Sequence, residues 1–219
     1  MVKIEQKILH RLTDTKKERN IYTHPIFLAR DIFWQRLEYA FKYINKHLKK
    51  EQKVLDFGGG SGVFSKALAS YFNDVSIIDL DTLEAENIKN HFNLENVTIH
   101  NQNINDFKIN LKYDVIVATD VLEHFLNLNE PLNFFNKFLK KDGFLLITLP
   151  TENKLYEFGR LVINKKKPID HYHSSEEVIS FLLQNNFELI ENCYVPKYII
   201  NIPLFEVAIL KFNGEKQIG

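Results

Sequence analysis

The stretch VLDFGGGSGVFSKAL, which runs from Val54 to Leu68, decides the fold. Its apolar start VLDF predicts a buried strand, and the run SGVFSKALASYF predicts a helix. The four glycines between residues 58 and 62 predict a tight turn from strand to helix, because glycine lets a ligand approach the backbone closely. The chemistry of that ligand determines what the protein does.

The spacing of the glycines excludes two common phosphate-binding loops. A dinucleotide-binding loop requires the pattern Gly-x-Gly-x-x-Gly, and counting from Gly58 puts Val63 where the third glycine belongs. A P-loop requires Lys and then Ser or Thr after its last glycine, and neither follows here. The pattern that fits is an acid followed by alternating glycines: Asp56, Gly58, Gly60 and Gly62.

Strand-like and helix-like segments alternate along the chain after the turn. The apolar runs VSIID, VTIH, YDVIVAT and FLLITLP predict four further strands, and the segments 82–92 and 129–143 between them predict helices. Apolar strands that alternate with helices form parallel sheets covered on both faces. The later runs FELIENCYV and FEVAILKF have no helix between them, so we expect them to pair as an antiparallel hairpin.

A long amphipathic helix is predicted before the first strand. Apolar side chains of residues 26–48 recur at three- and four-residue steps, which predicts one buried stripe. The stripe comprises Phe27, Ile32, Phe33, Leu37, Phe41, Ile44 and Leu48. We expect residues 1–50 to form a helical lid and residues 51–219 to form the ligand-binding domain.

The composition is that of a globular protein without a strong charge preference. Hydrophobic residues make up 45%, and 28 Lys and Arg balance 28 Asp and Glu, which gives no global argument for nucleic acid. The single cysteine, Cys193, excludes an internal disulfide and a multi-cysteine metal site. No secretory signal and no apolar run approaching about 18 residues is visible. We therefore expect a cytoplasmic protein.

The segment VLDFGGGSG resembles the first motif of class I S-adenosylmethionine-dependent methyltransferases. The resemblance implies that Gly58 and Gly60 let the backbone pass under the methionine part of S-adenosyl-L-methionine, and that Asp56 helps to hold its ammonium group. The chemistry agrees, since a carboxylate attracts an ammonium or sulfonium group and would repel a phosphate. The implied fold is α/β, a Rossmann-like doubly wound seven-stranded sheet, mostly parallel, with the antiparallel C-terminal hairpin.

The resemblance continues in chain order. Asp79 ends VSIID and matches the acid that binds both ribose hydroxyls in this family, with Leu80 beside it. The segment NQNINDF matches the adenine segment through Asn103 and Ile104, and Thr119 in YDVIVAT lines the sulfonium pocket. In the N-terminal segment, the planar guanidinium of Arg30 is suited to binding the carboxylate of the cofactor.

The segment DVLEHF supplies the predicted catalytic residues. On a helical turn Asp120, Glu123 and His124 stand at i, i+3 and i+4 and share one face. His124 has the intrinsic pKa of a general base, and a neighbouring carboxylate such as Asp120 would orient it. The alternative is that His124 anchors this turn by hydrogen bonds.

A second pair of histidines follows the fifth strand in KKKPIDHYHSSEE. We expect His171 and His173, together with Tyr22, to contact the methyl acceptor. The composite of DxxEH and DH resembles the small-RNA 3′-terminal 2′-O-methyltransferases, in which two acids and two histidines hold a divalent metal. Asp120 is a shorter arm than the glutamate of that family, and no metal is assigned here.

The predicted function is S-adenosylmethionine-dependent O-methylation of a small metabolite, such as a quinone precursor, a sugar or a lipid-linked molecule, similar to quinone-biosynthesis O-methyltransferases. RNA 2′-O-methylation is an alternative that the zero net charge disfavours. A non-catalytic cofactor-binding module is another, although the glycine turn and Asp79 are intact. The apolar segment 195–205 allows peripheral membrane contact, and the chain is expected to be a monomer or a homodimer.

Overall fold

The structure, a computed structural model, describes residues 3–13, 21–152, 171–197 and 203–214. The strands are β1 (Lys53–Phe57), β2 (Asp74–Asp79), β3 (Val97–Asn101), β4 (Tyr113–Thr119), β5 (Leu139–Pro150), β6 (Phe187–Val195) and β7 (Phe205–Phe212). The helices are α1 (Gln6–Leu12), α2 (Phe27–His47), α3 (Val63–Ala69), α4 (Leu83–Phe92), α5 (Asn129–Phe138) and α6 (Ser175–Gln184). Short 3-10 turns cover Ile21–Thr23, Ile104–Asp106 and Leu122–His124.

The strands form one seven-stranded sheet in the order β3-β2-β1-β4-β5-β7-β6. The first five strands pair in parallel, whereas β7 runs antiparallel to both β5 and β6. The predicted α/β fold and its antiparallel C-terminal hairpin are confirmed. The helices α3, α4 and α5 and, between β3 and β4, a 3-10 turn join the parallel strands, whose carboxyl ends lie together at one edge of the sheet.

Two apolar layers cover the sheet. Successive side chains of a strand point to opposite faces, so Val115 and Val117 of β4 join the layer formed with α2, α3 and α4. Ile116 and Ala118 join the layer formed with α5 and α6. This arrangement explains why the central strands are apolar at nearly every position.

The long helix α2 packs against β5, β6 and β7. Ile32, Leu37 and Ile44 are buried there as predicted, but Phe27 is 70% exposed, so its place in the buried stripe was wrong. Phe27 is the first residue of the helix, ahead of the part that reaches the sheet, and the guanidinium of Arg30 lies over its ring. The lid function of residues 1–50 stays a prediction. None of the helices described is long and apolar enough to span a membrane.

The helix predicted for residues 129–143 ends earlier than expected. α5 stops at Phe138, and Leu139 is buried opposite Tyr113 as the first residue of β5. Four residues then bulge out of the ladder before Phe144 pairs with Val115. The exposed run Lys140–Asp142 had continued a helical pattern, but burial of Leu139 in an extended pairing ends the helix.

Gly62, at the start of α3, generates a stability prediction. It has a φ of +73°, and a Cβ atom there would lie 2.8 Å from the Cα of Ala85 in α4. We expect Gly62→Ala to lower the free energy of unfolding by about 2 kcal/mol or more, because a backbone atom cannot move aside. Urea denaturation followed by circular dichroism measures this loss.

Gly214→Ala is the matched control, because its φ of +85° is equally positive but its nearest neighbour is the flexible Lys141 side chain at 3.2 Å. It should cost about 1 kcal/mol from backbone strain alone. Equal losses in the two variants would show that the contact between α3 and α4 is not what requires glycine at position 62.

Candidate active site

The candidate site lies at the carboxyl ends of the parallel strands. β1 pairs in parallel with both β2 and β4, so the chain connections lead away from it in opposite directions. The crevice outside such a switch point is where open α/β sheets bind their ligands. The glycine turn follows β1 into this crevice, and the segments after β2, β3, β4 and β5 surround it.

The glycine turn is closely packed at Gly58, and Gly60 has a φ of +51° that residues with a side chain rarely adopt. Gly58 has a φ of +68°, and a Cβ atom there would lie 2.4 Å from Cγ2 of Val121. Gly60 donates its N–H to Oδ2 of Asp79 at 2.8 Å. The turn therefore offers backbone to a ligand, and its position is tied to the end of β2.

Asp56 is a buried carboxylate at the end of β1. Ser65 donates its hydroxyl to Oδ2, whereas Oδ1 is buried and has no hydrogen-bond partner among the residues that the structure describes. Burial raises the pKa of Asp56 to about 7, the hydrogen bond from Ser65 opposes this rise, and the charge of Asp79 adds to it. An ammonium group beside Oδ1 would satisfy this oxygen, so the site fits the amino acid part of S-adenosylmethionine.

Asp79 is half-buried at the end of β2 and organises the rim of the crevice. Its Oδ2 accepts the N–H of Gly60, and its Oδ1 accepts the N–H of Asp81 at 2.9 Å. A carboxylate has about four acceptor positions, so two remain for the paired hydroxyls of a ribose. Leu80 follows with its side chain 70% exposed and offers an apolar surface at the same rim.

The remaining predicted cofactor residues follow β3 and β4. Asn103 is exposed, and its side-chain oxygen accepts the N–H of Asn105 at 2.9 Å, which uses part of the acceptor capacity expected for adenine. Ile104 is half-buried against the apolar layer of α5. Thr119 ends β4 half-buried beside Asp120. Their contacts with a bound cofactor stay predictions.

Asp120 does not share a helical face with Glu123 and His124, and that prediction was wrong. Asp120 has a φ of +54° and precedes a 3-10 turn that contains only Leu122–His124. Its carboxylate instead accepts the hydroxyl of Thr148 at 2.8 Å and forms a buried ion pair with Arg36. The left-handed backbone breaks the helical spacing on which the prediction depended.

Arg36 is the buried charged side chain at the site that the sequence reasoning missed. The predicted carboxylate clamp, Arg30, donates to the backbone oxygens of His24 and Pro25. Arg36 is 4% exposed and lies one helical turn beyond the apolar Phe33. Its position on the buried stripe of α2 was a usable signal, because an arginine is almost never fully buried without a partner.

Two histidines, His124 and His171, meet after β4 at the place where the methyl acceptor is predicted to bind, which we call the acceptor side. The rings of His124 and His171 are 4.7 Å apart, edge to face, and Nδ1 of His171 lies 2.7 Å from Oε1 of Glu152. The backbone N–H of Tyr172 donates to the carbonyl of Glu123 at 2.8 Å and ties the two segments together. Nothing in the sequence pattern singled out Glu152.

Glu123 lies buried under these rings. Burial raises the pKa of Glu123 well above its usual range, and the charge of Asp120 raises it further. Its Oε2 has no hydrogen-bond partner within the described part of the chain. Ligand atoms of Glu123, His124 and His171 all lie within 4.8 Å of one another.

The other predicted acceptor residues have different surroundings. Tyr22 is buried, and its hydroxyl accepts a hydrogen bond from Arg36 at 2.9 Å. His173 is half-buried, and its Nε2 has no hydrogen-bond partner among the described residues. Asp170 and residues 198–202 of the apolar segment lie outside the described residues. Acceptor binding by His171, His173 and Tyr22 stays a prediction.

Comparisons with known proteins agree with this geometry. A family described as "Methyltransferase domain" matches residues 27–192. The chain is 30% identical over 134 residues to a ubiquinone biosynthesis O-methyltransferase of Rickettsia akari, covering 58% of this chain and 53% of that protein. It is 33% identical over 108 residues to a ribosomal protein L11 methyltransferase of Bacillus pumilus, covering 47% and 33%. The chain thus spans about half or less of these curated relatives.

A solved structure shares the fold over nearly the whole chain. The N-methyltransferase NodS from Bradyrhizobium japonicum WM9, in complex with S-adenosyl-L-homocysteine, superposes with a TM-score of 0.70 at 15% identity. The match covers 94% of this chain and 97% of NodS.

The chain belongs to the methyltransferase domain family, with the fold of the class I S-adenosylmethionine-dependent methyltransferases. S-adenosyl-L-methionine is the cofactor of this family, and the prediction of the family and its cofactor is confirmed.

The buried carboxylate of Asp56 predicts a pH-dependent cofactor affinity. Only its ionised form attracts an ammonium group, and its pKa is about 7. We expect the affinity for S-adenosylhomocysteine to rise about tenfold between about pH 6 and pH 8, as measured by isothermal titration calorimetry. Asp56→Asn should bind weakly and lose this pH dependence. A steep rise that persists in Asp56→Asn would assign the titration to another group.

Asp56 also predicts how the stability of the unliganded protein depends on pH. Because its pKa in the folded state lies above the ordinary value of 3.8, the folded protein holds the extra proton between about pH 4 and pH 7. The free energy of unfolding should therefore fall as the pH rises through this window. At about pH 8 Asp56→Asn should melt about 3 °C or more above the wild type. A lower melting temperature would contradict the assigned burial of the charge.

Asp79 accepts hydrogen bonds from two backbone N–H groups, so its substitution should disturb the rim of the crevice. In Asp79→Asn one acceptor oxygen is replaced by an NH2 group that faces a backbone donor. We expect the affinity for S-adenosylhomocysteine to fall about tenfold or more in calorimetry. Asp74→Asn, at the other end of β2 in an exposed pair with Lys53 at 3.1 Å, is the control and should bind like the wild type. Unaltered affinity in Asp79→Asn would remove Asp79 from the ribose site.

Proposed function

We propose that the protein transfers a methyl group from S-adenosyl-L-methionine to a hydroxyl group of a small aromatic metabolite such as a quinone precursor. The observation that carries the proposal is the histidine pair. His124 and His171 stand edge to face at 4.7 Å, and Glu152 lies 2.7 Å from Nδ1 of His171. A base with an orienting carboxylate is the arrangement by which proteins take a proton from a hydroxyl group.

The cofactor supplies a methyl carbon on a positively charged sulfur, which already activates the carbon toward an oxygen nucleophile. The chain itself has to hold the acceptor in line and remove its proton. With the Nδ1 proton of His171 donated to Glu152, Nε2 is left with the lone pair that accepts the hydroxyl proton. His124, the base predicted from the sequence, would then position the acceptor against that nitrogen.

The surroundings of the histidines favour an apolar, aromatic acceptor. Leu126 and Tyr172, adjacent in the chain to the two histidine segments, expose 75% and 46% of their surfaces. Exposed apolar side chains beside a site suit an apolar ligand. The relative from Rickettsia akari carries the name of a ubiquinone biosynthesis O-methyltransferase, which is consistent with this class.

A cation-assisted form of the same reaction is the second candidate. Ligand atoms of Glu123, His124 and His171 lie within 4.8 Å of one another, and Oε2 of Glu123 is buried without a hydrogen-bond partner among the described residues. One carboxylate and two imidazoles suit a borderline divalent cation, which would acidify the acceptor hydroxyl. Asp120 would not belong to the ligand set, because its carboxylate pairs with Arg36.

A panel of acceptors tests the proposal. Purified protein and cofactor are incubated with catechols, hydroxybenzoates, amines and RNA, and a mass gain of one CH2 unit, which marks replacement of a hydrogen by a methyl group, is detected by mass spectrometry. We expect a phenolic hydroxyl to be methylated, and His171→Ala to lower kcat by about 100-fold or more. His91→Ala, at an exposed position on α4, is the control and should keep the wild-type rate.

Three results would change the assignment. Methylation of amines or RNA alone would contradict the proposed acceptor class. A wild-type rate in His171→Ala with a large loss in His124→Ala would return the base role to His124. Loss of activity in EDTA, restored by Zn²⁺ or Mn²⁺ in the wild type, would favour the cation-assisted form.

A further inference from the structure

The buried guanidinium of Arg36 joins four separate parts of the chain. Its Nη2 donates to the hydroxyl of Tyr22 at 2.9 Å, and its Nη1 donates to Oγ1 of Thr148 at 3.0 Å while it pairs with the carboxylate of Asp120. The ring of Phe205, at the start of β7, lies 5.3 Å from the guanidinium carbon. One charge on α2 therefore holds the N-terminal segment and the ends of β4, β5 and β7 together.

Asp120 is the residue through which this charge reaches the acceptor side. Its φ of +54° is uncommon for a residue other than glycine, although aspartate tolerates it best. Its N–H donates to the carbonyl of Thr148 at 2.9 Å, and its carboxylate accepts the Thr148 hydroxyl and pairs with Arg36. These contacts determine the direction in which the chain leaves β4, two residues before the 3-10 turn that carries Glu123 and His124.

Tyr22 is the contact of Arg36 on the cofactor side. Burial raises the pKa of Tyr22 to about 12, the charge of Arg36 opposes this rise, and the charges of Asp120 and Asp56 add to it. The hydroxyl therefore lies within electrostatic reach of the carboxylate predicted to hold the ammonium group. Arg36 thus contacts the segment of Tyr22 directly and the start of the turn that carries His124 through Asp120.

We propose that Arg36 is a positioning residue that fixes the turn of Glu123 and His124 through Asp120 and the N-terminal segment through Tyr22. Asp120, predicted as catalytic, is in this account a positioning residue as well. Arg36 thereby couples the position of the Leu122–His124 turn to that of the Ile21–Thr23 turn. A buried ion pair is weak grounds for stability, because apolar residues of similar volume are often as stable. Positioning gives this network a role beyond stability.

The only tryptophan of the chain provides the first readout. The ring of Trp34 lies 4.6 Å from the ring of Tyr22, so the fluorescence of Trp34 reports a change in the position of Tyr22. We expect S-adenosylhomocysteine to change the Trp34 emission of the full-length wild type. Arg36→Met should lose this change and bind about tenfold more weakly, because Asp120 is left with an unpaired charge. Arg36→Lys, which keeps the positive charge, should retain part of the change in Trp34 emission and part of the affinity for S-adenosylhomocysteine.

The ring of His124 provides the second readout, which a purely stabilising role would not move. Side-chain NMR of the histidines should show a shifted resonance for His124 in the double variant Arg36→Met/Asp120→Asn. The double variant removes both charges and therefore leaves no uncompensated ion in the core. The resonance of the exposed His91 should stay in place, and Lys46→Met, at the other end of α2, should behave like the wild type in both readouts.

Two results for the double variant would contradict the proposal. A folded double variant with unchanged His124 resonances and an unchanged Trp34 response would overturn the proposal. An unfolded double variant would contradict it too, because the network would then be needed to hold the fold itself. Neither readout requires a methyl acceptor, so a failure of the proposed O-methylation leaves this result unaffected.

Discussion

A carboxylate buried at the end of β1 is the constraint on which the rest of the site depends. The neighbours of Asp56 in the strand are apolar and buried on both faces of the sheet, and Ser65 is its one side-chain donor among the residues that the structure describes. A buried ion without a partner is costly, and the rise of its pKa to about 7 expresses that cost. A cationic ligand removes the penalty, whereas a phosphate would increase it. We therefore expect the charge of Asp56 to favour a cofactor with an ammonium group over one with a phosphate.

The surrounding elements hold this carboxylate and the acceptor side in a fixed position relative to each other. The glycine turn is tied to β2 through Asp79, and the turn after β4 is tied to α2 through Arg36. Both connections use a charged side chain at the carboxyl edge of the sheet, where backbone groups are no longer paired within the ladder. The apolar layers stabilise the packing of the strands, and these few polar contacts determine the positions of the loops. The use of S-adenosyl-L-methionine is common to the family. We expect the loops of this chain to determine which methyl acceptor it binds.

The sequence predicted what depends on local pattern and missed what depends on distant contacts. The glycine turn and the alternation of strands and helices could both be predicted from patterns a few residues long. The burial of Arg36 had a local signal in the stripe of α2, but its partners could not be identified in this way, because Thr148 is 112 positions away in the chain. Glu152 contacts His171, which is 19 positions away in the chain, and no sequence pattern links the two residues. The shared face of Asp120, Glu123 and His124 failed for a local reason, since the left-handed Asp120 interrupts the assumed helix.

A side-by-side calorimetric titration with S-adenosylhomocysteine and with NAD⁺ tests the central claim most directly. The two ligands share adenosine, but one presents an ammonium group and a thioether where the other presents a pyrophosphate. The account predicts saturable binding of S-adenosylhomocysteine at one site per chain and no detectable heat with NAD⁺. Saturable binding of NAD⁺ with no response to S-adenosylhomocysteine would contradict it.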